Sequence, residues 1–165
     1  MAIHSEPKVV FSIHNQLYGV GVLDVDKIYR AMQVTALPDA PVWLMGLVNL
    51  GGHILPVVDM RNRLELPGKP IDPDDRLVRL TAPSACCFFV DRVLGVVAFD
   101  QDHVSESGDI HPQLDPHLAG VGRHDNATVL FITTAKLFSG VMAHTGMSQD
   151  EHGVLNGPGD ARVAG

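Results

Sequence analysis

Cys86 and Cys87 are the only two thiols of this 165-residue chain, and nine histidines are its candidate metal ligands. Asp59, at the end of the apolar run "HILPVVD", stands where a general base could sit. A catalytic thiol needs an activating base and solvent access. Both cysteines instead lie inside "SACCFFV", where free cysteine behaves as a small buried hydrophobe. Neighbours in a strand point to opposite faces, so the two should not pair with each other. The histidines of the polar stretch, His103, His111, His117 and His124, are eight, six and seven residues apart in loop-rich sequence. No H-x-x-x-H or C-x-x-C spacing presents two of them on one face, so they read as solvated loop residues. Asp59 opens "DMRNRLEL", with Met60 and Leu64 four apart, and its carboxylate suits the N-cap of a two-turn helix stopped by Pro67. "YGVGV" and "AGVGR" lack the third glycine and the following helix that a pyrophosphate site requires. The expectation is a protein with no catalytic residue, no cofactor and no metal.

The elements around these residues are mostly short strands. "KVVFSIH" (8–14) and "LYGVGV" (17–22) flank Asn15-Gln16, a tight hairpin. In "DVDKIYRAM", Val25, Ile28 and Met32 fall at helical spacing behind Asp24, which predicts a short amphipathic helix. "QVTAL" (33–37) predicts a strand, and "DAPVWLMG" a loop with a helical turn after Pro41. "GLVNL" and "HILPVVD" read as a hairpin turning at Gly51-Gly52, which supply the positive φ of a two-residue turn. Pro56 cannot donate to a ladder, so its strand should be an edge there or carry a bulge. After the Pro- and Asp-rich segment 67–75 come the strands "RLVRLTA", "ACCFFVD" and "RVLGVVAF". The irregular stretch 99–118, a hairpin of "AGVGRH" and "ATVLFIT", and the helix "TTAKLF", capped by Thr133 or Thr134, complete the pattern.

Nine or ten strands with few helices predict an all-β protein of two small β-barrels, with a break near 67–75. Residues 8–139 form the expected domain, and 140–165 a weakly structured, flexible tail. No βαβ rhythm supports a parallel nucleotide-binding sheet. Nineteen acidic residues against twelve basic ones give a formal charge of −7, which repels a phosphate backbone and argues against nucleic acid. No apolar stretch approaches the ~20 residues of a bilayer span, and the N-terminus shows no signal-peptide pattern. With no disulfide framework either, the expected location is the cytoplasm, and the Asn126-Ala127-Thr128 sequon is a chance match. A glycine-punctuated β protein with apolar excess and little catalytic equipment suits a module whose edges or grooves are covered by partners.

Residues 17–64, "LYGVGVLDVDKIYRAMQVTALPDAPVWLMGLVNLGGHILPVVDMRNRL", closely resemble the CheW family of bacterial chemotaxis coupling proteins. The shared elements are the "YG" start, the V-x-x-I segment, the loop before "GLVNL", a glycine turn, "ILPVVD" and an R-x-R-L helix. "VLGVV", "LAGVGR", "TVLFIT" and "AKLF" extend the resemblance more weakly to about residue 139. The resemblance implies two five-stranded β-barrels packed around a shared core. It also implies a non-catalytic adaptor that binds the regulatory domain of a chemotaxis histidine kinase and, in an apolar groove between the barrels, the cytoplasmic tip of a methyl-accepting chemoreceptor. A divergent non-flagellar system, controlling surface motility or a second messenger, is the alternative within the family. Partner-facing positions carried over are Val25, Ile28, Val48, Asn49, Gly52 and Gly95. Two others depart from the family pattern: Lys27 stands where relatives usually have an acidic residue, and Gly51 where they usually have arginine. A third departure is "GVVAFDQDHV", where the family tends to have a valine-aspartate pair after "GVV".

Overall fold

Period-two alternation in "CCFFV" sends Cys86, Phe88 and Val90 to one face of a strand and Cys87 and Phe89 to the other. That division organises the whole computed structural model, which describes residues 6–81, 84–100, 103–106, 118–138, 148–149 and 155–156. The strand is β7 (Cys86–Val90), in a five-stranded sheet with β3 (Val25–Arg30), β4 (Leu44–Leu50), β5 (His53–Val58) and β6 (Arg76–Leu80), ordered β3-β6-β7-β5-β4. A six-stranded sheet holds β1 (Lys8–Ile13), β2 (Gln16–Gly21), β8 (Arg92–Val97), β9 (Val104–Glu106), β10 (Leu118–His124) and β11 (Ala127–Ile132), ordered β8-β1-β2-β11-β10-β9. The mostly-strand, two-sheet architecture is the expected one. The first sheet has five strands as anticipated. The second gains a sixth because Val104–Glu106 pairs with β10 inside the stretch read as irregular. The hydrogen-bonded order does not close either sheet into a full barrel. The Pro- and Asp-rich segment 67–75 connects strands of one sheet, because β3 before it pairs with β6 after it.

Three apolar clusters fill this frame. One lies within the five-stranded sheet, around Leu55, Val57, Leu77 and Cys87. A smaller one lies within the six-stranded sheet, around Val10, Phe99, Val129 and Phe131. The largest is shared: Phe11, Ile13, Tyr18 and Val20 of one sheet meet Val58, Val78, Leu80 and Phe88 of the other, closed by Leu137 and Phe138. The terminal helix α2 (Thr134–Leu137) supplies that lid. Neither threonine hydroxyl caps it. The Thr134 hydroxyl donates instead to the Asp24 carboxylate at 3.1 Å, and Asp24 also accepts from the Thr81 N–H through its backbone oxygen at 2.9 Å.

Several local expectations change. Val25–Arg30 is strand β3, preceded by a single 3₁₀ turn (Val22–Asp24), and not a helix. A register shift between Val25 and Lys27 breaks the two-residue period, which leaves the apolar side chains at helix-like spacing. Segment 33–37 contributes one bridge, Thr35 to Leu47, in place of a strand. The first hairpin turns at His14-Asn15, both with positive φ (52° and 63°), one residue earlier than Asn15-Gln16. Helix α1 (Met60–Arg63) is one turn and not two, because Glu65 turns left-handed (φ 56°) and the Leu66 N–H bonds back to the Arg61 carbonyl. Its cap is as expected: the Asp59 carboxylate accepts from the Asn62 N–H at 3.1 Å. Pro56 sits in an interior strand. Leu47, opposite it, spends both backbone groups on Thr35, so Pro56 faces no donor-requiring position there, and pairing of β5 with β7 begins only at Val57.

In the C-terminal stretch, Ser148–Gln149 (β12) pairs with Leu155–Asn156 (β13), which runs beside β5. The flexibility expected of 140–165 otherwise falls outside the described residues. No helix among the described residues is long and apolar enough to cross a membrane.

The sheets are also stapled by polar groups. Asp91, in the turn between β7 and β8, accepts from Arg61 Nη2 at 2.8 and 2.9 Å and from the His14 N–H at 2.9 Å, while Arg61 Nη1 reaches the Pro67 carbonyl at 2.9 Å. Burial alone would raise the Asp91 pKa. The His14 amide and the Arg61 guanidinium outweigh it and hold the carboxyl below its ordinary value. Asp91 thus binds its proton less readily folded than unfolded. Its contribution to stability is complete above about pH 4 and disappears as acidity reaches the depressed folded value. Asp91→Asn should cost about 2 kcal/mol at neutral pH and flatten the acid limb of stability, read from urea midpoints between pH 3 and 7. Equal slopes for both proteins would remove Asp91 from the acid response.

Candidate functional site

Ile28 is the residue from which the site grows. It lies on edge strand β3, is 36% exposed, and faces the same side as Val78, its cross-strand partner. A groove there is lined by Ile28, Asp74, Arg76, Asp91, Arg92 and Val93. One wall is therefore β3 and β6 of the five-stranded sheet, and the other is β8 of the six-stranded sheet. Val93 turns into the shared core while Arg92 stays exposed. Farther along β8, Leu94 (47% exposed) and Val96 (62%) leave apolar surface in water on an edge strand. The register shift opposite Val10 and Phe11 leaves Leu94 unpaired between Val93 and Gly95.

The other residues carried over by resemblance divide among five surroundings. Val25 begins β3 and packs its side chain toward the shared core. Lys27 is on the other face of β3 from Ile28. It lies opposite Arg79, with its ammonium 5.3 Å from the Tyr29 ring centre. Asn49, Gly51 and Gly52 come together at the β4–β5 tip. Gly51 and Gly52 have φ of 64° and 94°, and Asn49 Oδ1 accepts from the Gly52 N–H at 2.7 Å, which locks the turn. A Cβ on either glycine would meet nothing within 4 Å, so this tip projects into solvent. Gly95 is on β8 with φ 135° and open space around it. Val48 is only 3% exposed and belongs to the core of the five-stranded sheet, so it supports the hairpin from behind and has no surface to offer.

Sequence reasoning reached β8 only through Gly95 and did not single out Arg76, Arg92, Leu94 or Val96. One signal was available: "RVLGVV" is apolar at both odd and even positions. A strand with a solvent face should alternate, so an apolar outer face marks a surface to be covered.

The residues considered for chemistry are arranged differently. Burial pushes the Cys87 thiol up to about 12 and raises Cys86 further, aided by its neighbour, so neither is a ready thiolate. His103 pairs with Asp100 at 3.8 Å and His124 with Asp125 at 3.4 Å, all on the surface. His111 and His117 lie outside the described residues. Among the described residues no group of three histidine, cysteine or acidic side chains is placed to hold a metal. The G-x-G pairs lie in β2 and β10. At Gly122 a Cβ would stand 2.5 Å from Phe131 and 2.8 Å from Phe99, so that glycine serves packing.

In sequence and in fold the chain is similar to known proteins. The chain is 24% identical over 147 residues to chemotaxis protein CheW of Treponema pallidum (strain Nichols), covering 84% of this chain and 86% of that protein. It is 28% identical over 135 residues to a probable chemotaxis protein CheW of Rhizobium etli, covering 79% and 86%. The fold matches the crystal structure of the scaffolding protein TtCheW from Thermoanaerobacter tengcongensis, with a TM-score of 0.72 and 24% identity, over 84% of this chain and 94% of that one. The model of the CheW-like domain matches residues 8–142, and the chain belongs to that family.

Proposed function

We propose that this protein is a non-catalytic adaptor of bacterial chemosensory signalling, joining the cytoplasmic tip of a chemoreceptor to the regulatory domain of a sensor histidine kinase. The observation that carries this reading is the groove between the two sheets, with exposed Ile28 on one wall and Arg92 and Val93 of β8 on the other, continued by the exposed apolar Leu94 and Val96 farther along that edge strand. Such a cleft takes an apolar stripe of a partner segment and needs no reacting group. Membership of the CheW-like family and the chemotaxis names of its relatives support the same assignment.

The Asn49–Gly52 tip and Lys27 are the places where this adaptor differs from relatives in choosing partners. An arginine at a hairpin tip offers a rigid fork of donors for carboxylates or carbonyls. Gly51 removes that fork and relieves the left-handed turn, where any other residue costs about 1 kcal/mol. The test measures binding to a receptor-tip fragment and a kinase regulatory domain from the same cell. Ile28→Asp should weaken receptor-tip binding about tenfold and leave kinase binding in place. Gly51→Arg and Lys27→Glu should each change receptor-tip affinity severalfold. Absence of binding to both fragments by the unaltered protein would sink the adaptor reading. Unchanged affinity in the two charge variants would remove those positions as determinants of choice.

A further inference from the structure

The groove carries more positive charge than a chain of net charge −7 leads one to expect. Arg30 and Arg76 lie directly opposite each other on the antiparallel β3–β6 ladder, on the Ile28 face. Arg92 stands on the opposite wall. Like charges in direct cross-strand register are unfavourable, so the pair is not there for the sheet's own sake. Little nearby neutralises it. Arg76 Nη1 is spent on the carbonyl oxygens of Asp74 and Asp75, not on a carboxylate. The Asp91 carboxylate is occupied by Arg61 and the His14 amide. Among the described residues Arg30 and Arg92 form no ion pair, and the exposed Asp74 is the only other acidic side chain lining the groove.

We propose that Arg30, Arg76 and Arg92 form a carboxylate-recognising rim around Ile28, which selects a partner segment whose apolar stripe is flanked by aspartate or glutamate. The proposal rests on the adaptor reading of this groove and adds the charge of its occupant. An incoming carboxylate would relieve the Arg30–Arg76 repulsion. A guanidinium presents planar paired donors suited to a carboxylate. A lysine-flanked segment of the same shape would add a third cation to the pair and be rejected.

The experiment uses the full chain and two labelled amphipathic helical peptides sharing one leucine stripe, flanked by glutamates in the first and lysines in the second. Fluorescence anisotropy reads binding at low and at physiological salt. The glutamate peptide should bind about tenfold more tightly than the lysine peptide, with the gap narrowing as salt rises. Arg30→Glu, on an exposed edge strand, should erase or reverse the preference, and Arg30→Lys should retain most of it. Ile28→Asp should weaken both peptides. Equal binding of the two peptides, binding of neither, or an unchanged preference in Arg30→Glu overturns the rim. Full glutamate-peptide binding by Ile28→Asp instead overturns the groove as the docking place.

Discussion

Gly46→Ala should destabilise the protein by about 3 kcal/mol or more, enough to leave little folded material at 37 °C. Gly46 lies in β4 with φ +146°, and a Cβ there would stand 2.1 Å from the Thr35 carbonyl oxygen, 2.8 Å from its carbon and 2.9 Å from Val34 Cγ1. The obstacle is backbone and not a side chain that can swing aside. Thr35 is held by reciprocal hydrogen bonds with Leu47, at 2.9 and 2.8 Å, so relief requires breaking the bridge that ties segment 33–37 to β4. Gly52→Ala is the matched control. It also has positive φ, +94°, but open space around its Cβ, so it should pay for conformation alone, about 1 kcal/mol. Urea midpoints separate the two. A Gly46→Ala loss no larger than that of Gly52→Ala would show that the close approach of Thr35 is not what demands glycine.

Legibility in the sequence followed the range of the interaction. The Gly51-Gly52 turn, the Asp59 cap and the opposed faces of Cys86 and Cys87 each depend on residues within a few positions, and each was readable. Strand β3 was misread because its bulge at Val25–Lys27 imitates a helical repeat, and only its pairing with β6, some fifty residues later, makes it extended. The resemblance implied a groove, but no local pattern showed which residues line it, for the same reason. Ile28, Arg76 and Arg92 become neighbours through the register of β3 on β6 and the approach of β8, none of which a local pattern encodes. The family signature mixed two kinds of residue. Asn49, Gly51 and Gly52 project from the hairpin tip, while Val48 between them and the core is buried support. A motif records which positions are restricted, and burial decides whether packing or a partner restricts them.

Phe88→Ala should cost about 3–5 kcal/mol and loosen both sheets together. Phe88 belongs to the five-stranded sheet, yet its ring lies 5.4 Å from that of Phe11 in the six-stranded sheet and 5.6 Å from that of Phe138 after α2. All three are fully buried in the shared cluster. Truncation leaves a cavity bordered by two strands fixed by their ladders and by the residue that ends α2, so collapse around it is limited and the cost falls toward the upper part of that range. Phe131→Ala removes a ring of similar size from the cluster inside the six-stranded sheet and serves as the comparison. Amide hydrogen exchange distinguishes them. Phe88→Ala should speed exchange in β1 and β2 as well as in β6 and β7, whereas Phe131→Ala should act mainly on β2, β10 and β11. Acceleration confined to the five-stranded sheet in Phe88→Ala would mean that the sheets hold without this cluster. The groove between them would then owe its shape to the Arg61–Asp91–His14 staple.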